Sequence, residues 1–399
     1  MSTLIIVAAA ALAPLLAELL RRFRVPAVLF ELLLGILIGP AVLDWVEVDK
    51  FVGGLAQFGL AMLFFMAGYE LDFSALRGRP LNRAVSGWAV SLALGLGVGV
   101  VLMVQGFVVS SLLVGLALTT TAIGTLLPML RDRGLLETSF GQLLSAAGAV
   151  GEFGPVVAVT ILLSAGQPAE QTGLLLLFVV LTLAVGWVAV RRQTEGSTAL
   201  LDKHLHSSSQ LPVRLLLLLV AALVVAATQL GLDNLLGAFA AGMIARLAIL
   251  PAHREVISTK LDAVAFGFFI PVFFVVSGVK FGLDELFEPS TLARVPVFLV
   301  LLLVVRGLPA LVVYRGVLSA RGRTAMAFLQ ATALPLLVVI SEIGLATNRM
   351  RPANAAALVG AGMVSVLVFP LTGFALLDGA PEGADAGPVS PDPAEGPAE

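Results

Sequence analysis

Apolar residues in this chain are gathered into long blocks separated by short polar connections. Thirteen blocks lie at about 3–20, 25–43, 51–69, 82–104, 108–130, 139–164, 171–190, 211–230, 234–250, 262–282, 295–314, 323–346 and 354–377. Each approaches the roughly 20 residues that a helix needs to cross a bilayer. The pattern predicts an all-α integral membrane fold of about 13 transmembrane helices. The first block follows Met1 with no basic leader and no small-residue cleavage site, so it reads as a helix rather than a signal peptide. Residues 1–377 form the transmembrane domain. From 378 to 399 the chain is rich in Pro, Gly, Ala and acids, a composition that predicts a disordered acidic cytoplasmic tail. Residues 191–214, the longest internal polar stretch, read as a linker.

The connections carry charge alternately. On one side lie Arg21, Arg22 and Arg24; Arg77, Arg79 and Arg83; Arg131 and Arg133; Arg191, Arg192, Lys203 and Arg214; Arg246, Arg254 and Lys260; and Arg315, Arg321 and Arg323. These are 18 of the 24 basic residues, against four in the opposite loops: Lys50, Arg294, Arg349 and Arg351. Basic loops stay cytoplasmic. The N-terminus is therefore expected outside and the C-terminus inside, in agreement with an odd helix count.

Composition supports the same class. Hydrophobic residues make up 59% of 399 positions and charged ones 13%, with a mean hydropathy of +1.03. A soluble domain carries about 25% charged residues. Membrane lipid is thus an expected partner and nucleic acid is not. Cysteine is absent, which excludes thiol catalysis and cysteine metal sites. Three histidines, His204 and His206 in the linker and His253 in a short loop, make no metal site. Gly95, Gly97 and Gly99 lie inside an apolar run and read as packing glycines, and no Walker loop is present. With neither a nucleophile nor paired acids at the midplane, the chain does not read as an enzyme, and no cofactor is expected.

Six blocks precede the seventh and six follow it, so the second set enters the membrane from the opposite side. The sequence echoes this inversion. Leu33-Leu34-Gly35 with Gly39 parallels Leu235-Leu236-Gly237 with Gly242. Phe64-Phe65 with Gly68 parallels Phe273-Phe274 with Gly278, and Thr121-Ala122-Ile123 parallels Thr332-Ala333-Leu334-Pro335. The pattern predicts one repeat over about 3–165, a linker helix over 171–190 and a second repeat over about 211–377. Inverted repeats characterise many secondary transporters, whose sites lie beside discontinuous helices. Thr119, Thr120, Thr121, Gly124 and Pro128 weaken the fifth helix; Gln330, Thr332 and Pro335 weaken the twelfth. Both are expected to be broken.

Ionisable groups inside a bilayer are costly and point to function. Glu152 lies about 20 Å into the sixth block at 1.5 Å per residue, and Arg306 lies near the middle of the eleventh. Glu31, Glu342, Lys280, Glu70 and Asp72 sit nearer the ends of their blocks. These read first as snorkelling or structurally paired, with Glu31, Glu342 and Thr332 kept as secondary candidates. Gly148, Gly151 and Gly154 clear one side of the helix around Glu152, and Pro155 removes one helical donor.

These stretches resemble the monovalent cation:proton antiporter family, the sodium/hydrogen exchanger domain in its bacterial form. The likeness covers nearly all of residues 1–377. It is carried by Glu31 to Pro40, by Ala67-Gly68-Tyr69-Glu70-Leu71-Asp72, by Thr119 to Gly134, by the helix around Glu152, by Leu236 to Gly242 and by Pro271 to Phe274. It implies a core domain moving against a dimerisation domain, and hence a homodimer. It also implies one site for which cation and proton compete. The family's ion-binding acid is the second residue of an Asp-Asp or Asn-Asp pair, which falls on Glu152; its basic residue on the eleventh helix falls on Arg306. The first place of the pair is Gly151, so the extra carboxylate of charge-moving members is absent and a one-for-one exchange is implied.

The chemistry follows from competition. An ionised Glu152 would offer hard oxygens to a transported Na⁺ or K⁺, helped by the Thr120 and Thr121 hydroxyls, and a protonated Glu152 would carry H⁺ back. Arg306 would offset the carbonyl ends of the broken helices. Two other readings stay open at this point. One is a proton-coupled exporter of organic solutes or drugs with the same architecture; the other is a potassium-efflux pore subunit, with a separate regulatory subunit as partner.

Overall fold

The computed structural model describes residues 1–20, 25–70, 79–163, 168–191, 210–232 and 234–378. The expected tail beyond 378, most of the linker, Asp72 and several loop arginines lie outside the described residues. Among the described residues the structure is helical, without strands. Among the described residues, eight helices are long and apolar enough to cross a membrane by length and composition. The chain divides into two compact units, one from Met1–Asp72 with Val156–Asp284 and the other from Phe73–Pro155 with Glu285–Glu399.

In the first unit, α1 (Ser2–Leu19), α2 (Ala27–Ile38) and α3 (Lys50–Glu70) pack with three helices from further along the chain. Helix α2 is shorter than its apolar block. Pro40 disfavours helical geometry at the residue before it, and Gly39 is extended at φ −73 and ψ 176. Beyond this point the chain turns rather than continuing the helix.

The glycines of the sequence echoes are points of closest approach. A Cβ on Gly35 would fall against the Val275 carbonyl and 2.9 Å from the Gly278 Cα. One on Gly242 would fall against the Phe65 carbonyl and 2.7 Å from the Tyr69 nitrogen. Thus α2 lies on the helix Ile270–Val279, and α3 lies on the helix Asn234–Ala248. Backbone meets backbone at both crossings because neither partner presents a side chain there.

In the second unit, α4 (Arg79–Val104) is followed by two helices separated by a non-helical stretch: α5 (Ser111–Ala117) and α6 (Ile123–Asp132). Then comes α7 (Ser139–Leu163). Near the C-terminus the same interruption recurs between Ala320–Gln330 and Pro335–Ala346, before the long helix Pro352–Asp378. Both breaks fall where the sequence places them, at the threonine triplet and just before Pro335. Gly124 and Pro128 lie inside α6 rather than at its break. At the far end of α4, Asn354 accepts from the Arg294 guanidinium at 2.6 Å and donates to the Phe107 carbonyl at 2.8 Å. Arg351 donates to the Gly106 carbonyl. Two arginines of the sparse-charge loops thereby hold the turn between α4 and α5.

The eleventh apolar block is helical with a π-turn over Leu303–Gly307. Pro309 follows two residues later. A proline inside a helix clashes with the carbonyl four residues earlier and cannot bond it, and the wider turn accommodates this. The π-turn carries Arg306.

Candidate ion-binding site

Two interrupted helices cross in the second unit. Thr119 and Thr120 each donate their hydroxyl proton to the carbonyl three residues back, Leu116 and Ala117, both at 2.8 Å. These bonds finish the C-terminal end of α5, where carbonyls would otherwise be orphaned. Thr121 turns the other way. Its hydroxyl donates to the Gln330 carbonyl at 2.6 Å, the last residue of the helix Ala320–Gln330. Next to it, the Ala122 N–H donates to the Thr332 carbonyl at 2.7 Å. The two non-helical stretches therefore bond to each other directly.

Arg306 braces this crossing. It is 1% exposed, and its Nε donates to the Thr121 hydroxyl oxygen at 2.7 Å. Its Nη2 donates to the Ala147 carbonyl of α7 at 2.6 Å. Through Thr121, the guanidinium faces the carbonyl end of the second interrupted helix, where positive charge is favourable.

The helix of Glu152 is docked by its own irregularity. Pro155 has no N–H, so the Gly151 carbonyl loses its usual partner four residues on. The Thr121 N–H takes that carbonyl at 3.1 Å. Gly151 also leaves room: a Cβ there would stand 2.7 Å from the Thr121 hydroxyl and closer still to the Arg306 guanidinium. Glu152 itself is half-buried, with one carboxylate oxygen closed off from solvent. One turn before it on the same face, Gly148 packs against Ile123, the first residue of α6. The start of a helix favours negative charge, so the local field suits a carboxylate.

A family model described as sodium/hydrogen exchanger, transmembrane, matches residues 7–379. The chain belongs to the sodium/hydrogen exchanger family. It is a multi-pass membrane protein, and its family comprises transporters rather than enzymes.

Relatives and a solved structure place it further. A putative Na⁺/H⁺ antiporter of Bacillus subtilis is 25% identical over 93% of this chain. The chain spans 62% of that relative's length. The Na⁺/H⁺-K⁺ antiporter GerN of Bacillus cereus is 28% identical over 68% of this chain and 69% of its own length. The sodium proton antiporter MjNhaP1 of Methanocaldococcus jannaschii shares the fold at a TM-score of 0.65. That match covers 94% of this chain and 100% of the other, at 17% identity.

Within this exchanger-family chain, the structure brings Thr121, Thr332 and Arg306 together with the backbone of Gly151, next to Glu152. Thr120 adjoins them, its proton committed and its lone pairs left to accept. Glu342 is half-buried in the helix Pro335–Ala346, seven residues past the break. Glu31 belongs to the first unit.

Three participants escaped the sequence reading. Ser365, fully buried, accepts from the Ala333 N–H at 3.1 Å and lies 2.9 Å from its carbonyl, satisfying the second break from the last helix. A lone serine in the middle of an apolar run was the available signal. The Ala147 carbonyl carries no sequence signal at all. Trp88 of α4 packs its ring where a side chain on Gly154 would stand, and only that glycine hinted at a neighbour.

Proposed function

We propose that this exchanger-family protein is a secondary active transporter that exchanges protons for Na⁺ or K⁺ by alternating access, with Glu152 binding either the cation or the proton. The observation that carries the proposal is the half-buried Glu152 carboxylate beside two crossed, interrupted helices whose polar ends are held by a buried guanidinium. Glu152 supplies the exchangeable charge. The Thr120 and Thr121 oxygens lie on the stretch that docks to its helix, and Thr332 closes the crossing. Arg306 is a fixed charge compensating the helix ends. No cofactor takes part. The names of the relatives support a cation as cargo, and that of the Bacillus cereus protein keeps potassium beside sodium.

The reading includes about 13 crossing helices in two inverted repeats, over about 3–165 and 211–377, joined by a linker helix at 171–190. The glycine pairings support it. The second helix of the first repeat lies on the third of the second repeat, through Gly35 and Gly278. The third helix of the first repeat lies on the second of the other, through Gly68 and Gly242. This exchange of partners is what a two-fold relation between repeats produces. The N-terminus lies outside the plasma membrane, residues 378–399 form a cytoplasmic tail, and the protein works as a homodimer.

Gly151 bears on stoichiometry. With no carboxylate in that place, one monovalent cation exchanges for one proton and no net charge moves. Proton flux in proteoliposomes, with Na⁺, K⁺ and Li⁺ added in turn, tests the proposal. At least one cation is expected to drive proton movement, at a rate unchanged when the membrane potential is clamped at different values. Flux driven only by organic solutes would replace this reading with a proton-coupled exporter. A transport current would require a second titrating group in the cycle.

A further inference from the structure

A second buried carboxyl lies in the first unit. Glu31 is the fifth residue of α2 and is 5% exposed. It lies one helical turn before Gly35 and two before Gly39, on the face that α2 turns toward the helix Ile270–Val279. At Gly35 the two backbones are in contact, and from the other side a Cβ on Gly278 would stand 2.9 Å from both the Gly35 Cα and the Ile36 nitrogen. The interface has no slack to draw in solvent around a side chain.

The wall opposite is apolar but for the buried hydroxyl of Ser277. Ile270, Pro271, Val272, Phe273, Phe274, Val275 and Val276 are all buried, and Pro271 has no N–H to offer. The Oε2 of Glu31 is shut from solvent and has no hydrogen-bond partner among the described residues. Among the described residues, ionisable groups on the packed helices give no compensation: Ile270–Val279 has none, and α1 has only Glu18, which is exposed, besides the chain's amino terminus. A bare carboxylate in such surroundings is costly, whereas the neutral acid is tolerated.

We propose that Glu31 is a second proton-binding site, separate from Glu152, whose proton keeps the glycine-tight contact between α2 and the helix Ile270–Val279 free of charge. Loss of that proton at alkaline pH places a charge against an apolar wall and loosens the contact. The site is assigned to a proton and not the transported cation, because the facing helix Ile270–Val279 presents no carboxylate to share a cation with Glu31.

Infrared difference spectroscopy on the purified full-length protein tests this, and its readout does not depend on whether exchange is observed. Wild type minus Glu31→Gln at neutral pH is expected to show the carbonyl stretch of one protonated carboxylic acid. That band should persist in Glu152→Gln, decline as the pH is raised, and be unmoved by Na⁺ or K⁺. Carbodiimide, which attacks protonated carboxyls in apolar surroundings, gives a second measurement on protein with Glu31 intact. Peptide mass spectrometry should find Glu31 modified in the Glu152→Gln protein, less so at alkaline pH. Carboxylate bands in place of the acid band at neutral pH would overturn the proposal. So would a band that disappears on adding cation, which would make Glu31 a cation ligand.

Discussion

Glu152→Gln is expected to abolish cation-driven proton flux while leaving the protein folded. Gln has nearly the volume of Glu and keeps one carbonyl oxygen, so the packing around position 152 survives. It cannot take up and release a proton, and it offers a cation no negative charge. A positioned proton-transfer group contributes about 10²–10⁴-fold to a rate, so flux should fall by about a hundredfold or more. The thermal midpoint should stay within a few degrees, since about 1 kcal/mol corresponds to about 2–4 °C in a domain of some 200 residues. Glu152→Asp keeps the charge but withdraws it by one methylene. Misplacement of about 1 Å can cost about a hundredfold, so residual exchange with a displaced pH profile is expected. Proteoliposome flux measured beside a melting curve for each variant separates loss of function from loss of fold. A Gln variant with normal flux would remove Glu152 from the mechanism.

Arg306→Ala is expected to cost both stability and transport. It deletes two hydrogen bonds from a charged donor, to Thr121 at 2.7 Å and to Ala147 at 2.6 Å. Bonds of this type are worth about 1.5–3 kcal/mol each, so a loss of about 3 kcal/mol or more is expected. It also leaves the Gln330 carbonyl end with only the neutral Thr121 hydroxyl, so the crossing should lose its register. Arg306→Lys retains the charge with a single-point donor in place of the guanidinium fork. It should keep electroneutral exchange at reduced rate, with a smaller loss of stability. Gly151→Asn should resemble Arg306→Ala, because its side chain and the guanidinium compete for one volume. Thermal midpoints and flux of the three variants check this. If Gly151→Asn proves neutral, the guanidinium can move without disturbing the crossing, and its bracing role is lost.

Part of the candidate site's geometry, above all the two helix breaks, was legible in the sequence. Glu152 and Arg306 stood out because the middle of an apolar block is the wrong place for a charge unless it has work there. The two breaks were legible because three consecutive threonines and an isolated Thr-x-x-Pro weaken a helix from within. What could not be read was which backbone group each irregularity would release and to whom. Pro155 removes a donor, but only the fold shows that the freed Gly151 carbonyl meets the Thr121 N–H. Thr121 read as a potential cation ligand, and in the structure its hydroxyl already links Arg306 to Gln330. Helix ends were also beyond the sequence: the tenth block begins in sequence near 262, whereas the helix begins at Arg254, with Lys260 bonded to Gln210 and Asp262 accepting from Ser258. Such connections depend on distant stretches meeting in space, and composition does not encode them.

The central claim is that one carboxylate holds either a cation or a proton. Proton release on cation binding, measured with a pH indicator in weakly buffered, detergent-solubilised protein, tests it most directly. Adding saturating Na⁺ or K⁺ to wild type should release one proton per chain, with apparent cation affinity rising as pH rises, and Glu152→Gln should release none. Cation binding without proton release, or undiminished release from Glu152→Gln, would contradict the account.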